Sequence, residues 1–164
     1  MTDILDVQPL IKSSFARFGQ VLETGGAEKR LINAGTCTRF HALCSVNIEG
    51  EGARVVVSLF RAEPIQFPVR LAMMERHPLG SQAFWPLSGG TWLVAVAPDE
   101  NGRPGTPLIF SANGSQGVCY APNVWHHPLM ALDKTSDFLV IDRDGLGINL
   151  EEKHYETPYA VAAP

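Results

Sequence analysis

The sequence predicts a mainly β fold, an antiparallel sandwich or barrel with a few short helices. From residue 53 onward the chain consists of short β-like runs, separated by turn formers such as Ser88-Gly89-Gly90 and the segment 98–105. Many short strands with few helix-length patterns between them are typical of this architecture. The runs occupy residues 53–60, 69–75, 82–87, 91–97, 108–111, 117–120 and 138–142.

One domain over residues 1–164 accounts for the length, and the 45% of hydrophobic residues can supply its core. Ahead of the β-like runs, residues 13–19 indicate a short helix with a serine cap, phenylalanines that anchor it to the fold, and Gly19 as its stop. Residues 24–36 are rich in Gly, Ala and polar side chains, which predicts a loop.

Two further local signals concern a turn and the C-terminal segment. Gly89-Gly90 stands between two apolar runs, which indicates a tight hairpin. From Gly145 onward the chain is polar and then rich in Pro and Ala, which predicts a tail whose last residues fray.

Composition and charge exclude several partners. The net charge is −4 without a basic run, which argues against nucleic acid or a membrane surface as partner. No apolar run is long enough for a membrane span, and the N-terminus, Met1-Thr2-Asp3-Ile4, lacks the pattern of a signal peptide. The odd set of cysteines, Cys37, Cys44 and Cys119, contains no C-x-x-C pair and fits a reducing compartment. We therefore expect a cytoplasmic protein.

The basic residues are mostly arginines, nine of thirteen, which suits a small anionic substrate because arginine grips carboxylates bidentately. Arg61 and Arg143 each follow a strongly apolar run, a position that often lies at a barrel mouth. Both are candidates for holding a substrate carboxylate, with surface ion pairing as the alternative.

The densest polar cluster lies at residues 75–82. Because side chains alternate along a strand, Glu75 and His77 share one face and Arg76 takes the other. A carboxylate beside a histidine can orient the imidazole for acid–base catalysis, or both groups can ligate a metal. A structural pair at a strand end is the third interpretation.

A second cluster at residues 120–128 contains Tyr120 and the adjacent His126 and His127. On a regular strand only one of these histidines enters a barrel lumen, while the other faces the outer surface or a partner subunit. A polar strand end beside Trp125 is the alternative. The sequence has no G-x-S-x-G, P-loop or G-x-G-x-x-G motif, which removes support for activated-serine, phosphoryl-transfer and dinucleotide chemistry.

Four blocks in one order closely resemble the ureidoglycolate lyase family, and the similarity runs from the segment 15–19 to Arg143. They are Glu75-Arg76-His77-Pro78-Leu79-Gly80-Ser81-Gln82-Ala83-Phe84, Asn113-Gly114-Ser115-Gln116-Gly117-Val118, Asn123-Val124-Trp125-His126-His127-Pro128-Leu129 and Asp137-Phe138-Leu139-Val140-Ile141-Asp142-Arg143. The resemblance implies a homodimer with a cupin-like double-stranded β-helix, or jelly-roll, barrel. It also implies stimulation by a divalent metal, with nickel suggested, and no organic cofactor.

The cupin motifs can be compared with this chain position by position. Glu75 and His77 occupy the H-x-H pair of the first motif, Gln82 stands at its glutamate, and Gly89 follows at the expected distance. In the second motif Pro122 and His127 match, whereas Val124 replaces the usual glycine. The ligands that the resemblance implies are Glu75, His77, Gln82 and His127.

The implied reaction splits ureidoglycolate, a carbinolamide, into glyoxylate and urea. Our hypothesis assigns the base to Glu75 or His77, and the acid that protonates urea to His126 or His127. Arg61 or Arg143 would hold the carboxylate, and Tyr120 or Gln82 the urea amide. The alternatives are an amidohydrolase that releases ammonia, a non-catalytic cupin-like protein that binds a small acid, and a sugar isomerase or epimerase.

Overall fold

A computed structural model describes residues 3–163; Met1, Thr2 and Pro164 lie outside the described residues. Nearly all regular structure is β, beside one four-residue helix, α1 (Lys12–Phe15), and a 3-10 turn at Asn33–Gly35. In chain order the strands are β1 (Ile4–Leu5), β2 (Val7–Pro9), β3 (Gly19–Leu22), β4 (Glu28–Ile32), β5 (Cys37–His41), β6 (Arg54–Ala62), β7 (Val69–Arg76), β8 (Gln82–Pro86), β9 (Trp92–Ala97), β10 (Asp99–Glu100), β11 (Arg103–Pro104), β12 (Leu108–Ala112), β13 (Gly117–Tyr120), β14 (Trp125–His126), β15 (Met130–Ala131), β16 (Ser136–Asp144) and β17 (Glu151–Val161).

Two sheets form the barrel. The larger has the order β1-β17-β7-β14-β9-β12-β2, with β15 also paired to β9, and the smaller has the order β3-β13-β8-β16-β6. Pairing is antiparallel except at the edges, where β1 joins β17 and β2 joins β12 in parallel. The arrangement confirms the predicted mainly β, cupin-like barrel with few helices.

The core lies between the two sheets. Phe84, Phe138 and Val140 of the smaller sheet pack with Trp92 and Val94 of the larger one. In β16 burial alternates with the period of two that marks a half-buried strand, whereas β9 is buried on both faces, because Leu93 and Ala95 pack in a second core cluster. Each large buried side chain stabilises the fold by roughly 1.5–3 kcal/mol through removal of apolar surface from water.

The predicted hairpin at Gly89-Gly90 is wrong. The strand before it, β8, pairs with β13 and β16, whereas the strand after it, β9, pairs with β12, β14 and β15. The glycines therefore carry the chain from one sheet to the other. Gly89 has φ 69°, a conformation that favours glycine, so the predicted turn is present. The error lies in the predicted pairing of the two strands that the turn connects.

The N-terminal helix is shorter than predicted. Its cap position is Ile11, without a side-chain hydrogen bond, and Gly19 begins β3 rather than ending the helix. Phe15 and Phe18 are buried, and the rings of Phe15 and Phe110 form a T-shaped pair with a centroid distance of 5.8 Å. The aromatic rings therefore anchor this segment, as the sequence predicts.

Two predicted irregular segments form strands instead. Within 24–36, β4 pairs with β5 across the 3-10 turn, and all five residues of β4 are exposed, so no burial pattern marks it as a strand. The polar tail from Gly145 onward contains β17, which pairs with β7 along most of its length. Of the last residues, which are predicted to fray, Pro164 lies outside the described residues. The register shift between His154 and Tyr159 accommodates Pro158, which cannot donate to the ladder. Within residues 3–163 no helix has the length and apolarity to cross a membrane.

Candidate active site

Neighbouring strands of the larger sheet bring a carboxylate and two imidazoles together. Glu75 lies directly opposite His126 in the pairing of β7 with β14. His77 lies two residues after Glu75, so its side chain is on the same face. Arg76 takes the other face, as predicted, where its guanidinium stacks 4.3 Å from the Trp125 ring centre and forms ion pairs with Asp99 and Glu151.

The three side chains form a compact cluster. Nε2 of His126 lies 3.5 Å from Oε1 of Glu75, and Nε2 of His77 lies 4.0 Å from the same oxygen. The potential ligand atoms of all three lie within 4.8 Å of one another. We call Glu75, His77 and His126 the inner triad.

Backbone carbonyls determine the tautomers of the inner triad. Nδ1 of His77 lies 2.7 Å from the Asn149 carbonyl, and Nδ1 of His126 lies 2.9 Å from the Val124 carbonyl. A carbonyl can only accept, so each Nδ1 carries the proton and the Nε2 of the neutral ring presents a lone pair. Metal-binding histidines are oriented in this way.

Several acceptors of the site have no partner within the protein. Nε2 of His77, Nε2 of His126 and Oε1 of Gln82 are buried without a hydrogen bond in the described part of the chain. Buried polar atoms are normally satisfied, and a cation or a ligand rich in N–H and O–H groups would satisfy these. The inner triad therefore fits a divalent ion both in its donor types and in its orphaned lone pairs.

Glu75 and His126 of the inner triad border a cavity of about 410 Å³, a size suited to a small molecule. Its polar lining consists of Arg61, Glu75, Gln82, Tyr120, His126 and His127. A second cavity of about 320 Å³ lies on the other side of Gln82 and is lined by His77, Asp142 and Arg143 among others.

Burial and neighbouring groups shift the pKa values of the titratable side chains of the site in different directions. Burial pushes the pKa of Glu75 upward, but His126, which can donate to the carboxylate from Nε2 once its ring is protonated, and the smaller effects of His77 and His127 outweigh burial and lower the pKa. Burial lowers the pKa of His127 despite the carbonyl of Pro128. Burial raises the pKa of the Tyr120 hydroxyl, and its ring stacks on His126 at a centroid distance of 4.2 Å. The site thus combines an ionised carboxylate with a neutral phenol.

The predicted arginines differ in their surroundings. Arg61 is exposed at the cavity rim, where Asp137 holds it through bonds of 2.7 and 2.9 Å. Arg143 is 8% exposed, and its guanidinium donates to the backbone carbonyls of Glu49, Gly145 and Leu146. Its geometry is that of a loop anchor, since Nε, Nη1 and Nη2 each donate to one of these carbonyls.

The structure differs from the ligand set that the resemblance implies. His126 stands in the inner triad where His127 was expected, because the register of β14 places His126 opposite Glu75. His127 also lines the cavity, and its Nδ1 lies 2.9 Å from the carbonyl of its neighbour Pro128. No sequence pattern predicts the role of Asn149, because the contact with His77 is made by its backbone carbonyl.

Comparison with known proteins indicates the same family as the four sequence blocks. A family model described as ureidoglycolate lyase matches residues 2–162. Among curated relatives, ureidoglycolate lyase of Rhizobium etli is 58% identical over all of this chain and 99% of that protein. Ureidoglycolate lyase of Agrobacterium fabrum is 52% identical over 100% of this chain and 99% of that protein. Ureidoglycolate lyase 1 of Rhizobium meliloti is 51% identical over 100% of this chain and 96% of that protein.

Among solved structures, a dTDP sugar isomerase from Desulfovibrio desulfuricans G20 is similar over 85% of this chain and 84% of that one, with 17% identity and a TM-score of 0.47. The barrel and its internal Glu–His cluster define a cupin-like protein with a candidate metal site, and its curated relatives are named as lyases. The chain belongs to the ureidoglycolate lyase family, which confirms the resemblance carried by its four sequence blocks.

Proposed function

We propose that the protein is a ureidoglycolate lyase that cleaves ureidoglycolate into glyoxylate and urea. The observation that carries this proposal is the convergence of the ionised Glu75 with the Nε2 lone pairs of His77 and His126 in a chain of this family. Two of the three residues, Glu75 and His126, line the cavity of about 410 Å³. The substrate carries a hydroxyl, a carboxylate and a ureido nitrogen on one carbon, so its cleavage requires proton transfer at two positions.

The proton transfers follow from the cluster geometry. A base, Glu75 or His77, takes the hydroxyl proton while the oxygen's electrons form the C=O bond of glyoxylate and the C–N bond breaks. The electrons of that bond remain on nitrogen, which receives a proton from His126 or His127 to give urea. Because Oε1 of Glu75 lies 3.5 Å from Nε2 of His126, the proton can pass between them without leaving the site.

Substrate binding draws on the remaining lining residues. The rim position of Arg61 suits the substrate carboxylate, while Gln82 and Tyr120 face the ureido end. Glu75, His77 and His126 would hold the divalent ion that the resemblance suggests to be nickel, and such an ion, when bound, polarises an attached oxygen or nitrogen.

Assembly and location complete the proposal. Val55, Val57 and Leu59 of the edge strand β6 are 49–64% exposed on the outer face of the smaller sheet, next to Leu139 and Ile141 of β16. Monomers rarely leave a contiguous apolar face of this kind uncovered. A second copy of the chain would cover it and give a homodimer. Three free thiols fit a reducing cytoplasm.

Product analysis tests the function. Purified protein incubated with ureidoglycolate should release glyoxylate and urea in equal amounts, far above the spontaneous rate. Ammonia in place of urea would instead establish the amidohydrolase, and binding without turnover would establish a small-acid binding protein. His154→Ala, which alters an exposed histidine on β17, serves as the matched control and should retain full activity.

A further inference from the structure

Three side chains form a row across the smaller sheet beside the inner triad. Tyr120 lies directly opposite Gln82 in the pairing of β13 with β8. On the other side of β8, the pair Ile141–Ala83 brings the following residue, Asp142, next to Gln82. Gln82 is only 6% exposed, and its Nε2 donates to Oδ2 of Asp142 over 3.3 Å. Nothing in the chemistry above assigns a role to Asp142.

The carboxylate of Asp142 decides which way the Gln82 amide faces. An ionised carboxylate accepts hydrogen bonds and cannot donate them, so the amide nitrogen must turn toward it. The amide oxygen then turns away, and Oε1 is buried without any partner among the described residues. Asp142 therefore presents Gln82 to the site as an acceptor rather than as a donor.

The acceptor character of Gln82 matches the needs of one end of the substrate. A buried acceptor without a partner is costly, and a ligand that supplies an N–H group recovers that cost. The ureido group ends in an amide nitrogen with two hydrogens, whereas glyoxylate offers only acceptors in its aldehyde form. Oε1 of Gln82 therefore discriminates between the two halves of the substrate.

On the basis of the proposed function, we propose that Asp142 is a positioning residue: it holds the Gln82 amide so that Oε1 accepts an N–H of the ureido group and thereby selects ureido substrates. Asp142 does not touch the substrate in this arrangement. Its effect is exerted through Gln82 alone.

The test is Asp142→Asn, which preserves shape but allows the amide to reverse, because asparagine can donate to Oε1. We expect KM for ureidoglycolate and the inhibition constant of urea to rise about tenfold, the effect of one misdirected hydrogen bond, with kcat changed less. The inhibition constant of glyoxylate should stay within about twofold. Asp144→Asn, which alters the exposed carboxylate paired with Arg54 on the same strand, is the matched control and should leave all three constants unchanged.

A double variant separates positioning from a general structural effect. If Asp142 acts through Gln82, then Gln82→Met/Asp142→Asn should be no weaker in urea inhibition than Gln82→Met alone. Additive losses would overturn the proposal, and so would an unchanged urea inhibition constant in folded Asp142→Asn. A fall in Ni²⁺ affinity of Asp142→Asn, measured by calorimetry, with urea inhibition unchanged would assign Oε1 to the metal instead. Failure of the wild-type protein to release urea would reject the proposed function itself, a result distinguishable from all of these.

Discussion

The backbone carbonyl of Asn149 accepts a hydrogen bond from Nδ1 of His77 over 2.7 Å. The side chain of Asn149 adds a second contact, because its Oδ1 accepts a bond of 2.8 Å from the amide of Leu79. Asn149, just before β17, therefore holds the 77–79 turn at two points, the ring of the proposed catalytic His77 and the amide of Leu79.

Asn149→Ala should weaken this support. The Leu79 amide loses its acceptor in a partly buried position, which we expect to cost about 1–2 kcal/mol of stability and to reduce kcat through a less well oriented His77. Thermal denaturation and urea release measure the two effects. Glu156→Ala, at an exposed position of β17, is the control. Unchanged stability and turnover in Asn149→Ala would contradict the structural role.

Glu75→Gln and His126→Ala should each lower kcat by about 10²–10⁴-fold, the usual contribution of a positioned proton-transfer group. The amide of glutamine cannot accept a proton at neutral pH, and alanine removes the imidazole. Initial rates of urea and glyoxylate formation measure the effect, with circular dichroism to verify folding. Near-normal turnover in both variants would eliminate the proposed proton path.

Metal binding distinguishes the inner triad from the ligand set implied by the resemblance. In calorimetry with Ni²⁺ alone, His126→Ala should lower affinity at least about tenfold, because it removes one imidazole from the cluster. His127→Ala should bind nearly as the wild type does. The reverse ranking would show that His127 is the ligand and that the cluster rearranges around the ion.

Acid sensitivity should depend partly on Asp99. Hydrogen bonds from Trp125 and from the amide of Gly102, aided by Arg76, hold the pKa of Asp99 below its ordinary value of 3.8. A carboxyl group whose pKa is lower in the folded state stabilises the fold at every pH above its unfolded-state pKa. That stability is lost as the pH falls through the folded-state pKa. Asp99→Asn should therefore lower Tm at pH 7 and have much less effect near pH 2. An equal loss of Tm at both pH values would exclude this ionic contribution.

The dimer proposal predicts that Val57→Lys yields a monomer, since a charge at the centre of the apolar face opposes its burial against a second copy. Light scattering coupled to gel filtration reports the mass. Ile4→Lys replaces an equally exposed residue on β1, in the other sheet, and should leave the dimer intact. A wild-type monomer at micromolar concentration would refute the proposal directly.

Part of the barrel is predictable from the sequence because strands such as β16 are half-buried. In β16, Phe138 and Val140 face the core while Leu139 and Ile141 do not, and such alternation is visible in the amino-acid order. Strand β4 has no covered face and β17 contains Pro158, so neither shows a comparable pattern. Their strand character comes from pairing with β5 and β7, which local composition does not record.

The sequence by itself determined the fold class, the family and the placement of Glu75 and His77 on one face, because these depend on composition, ordered motifs and the two-residue period of a strand. Only the tertiary structure decided that His126 rather than His127 joins them, that the Asn149 carbonyl orients His77, and that Asp142 turns the amide of Gln82. These relationships depend on strand register and on contacts between residues distant in the chain. Register is set by the packing of the whole barrel, so no local pattern encodes it.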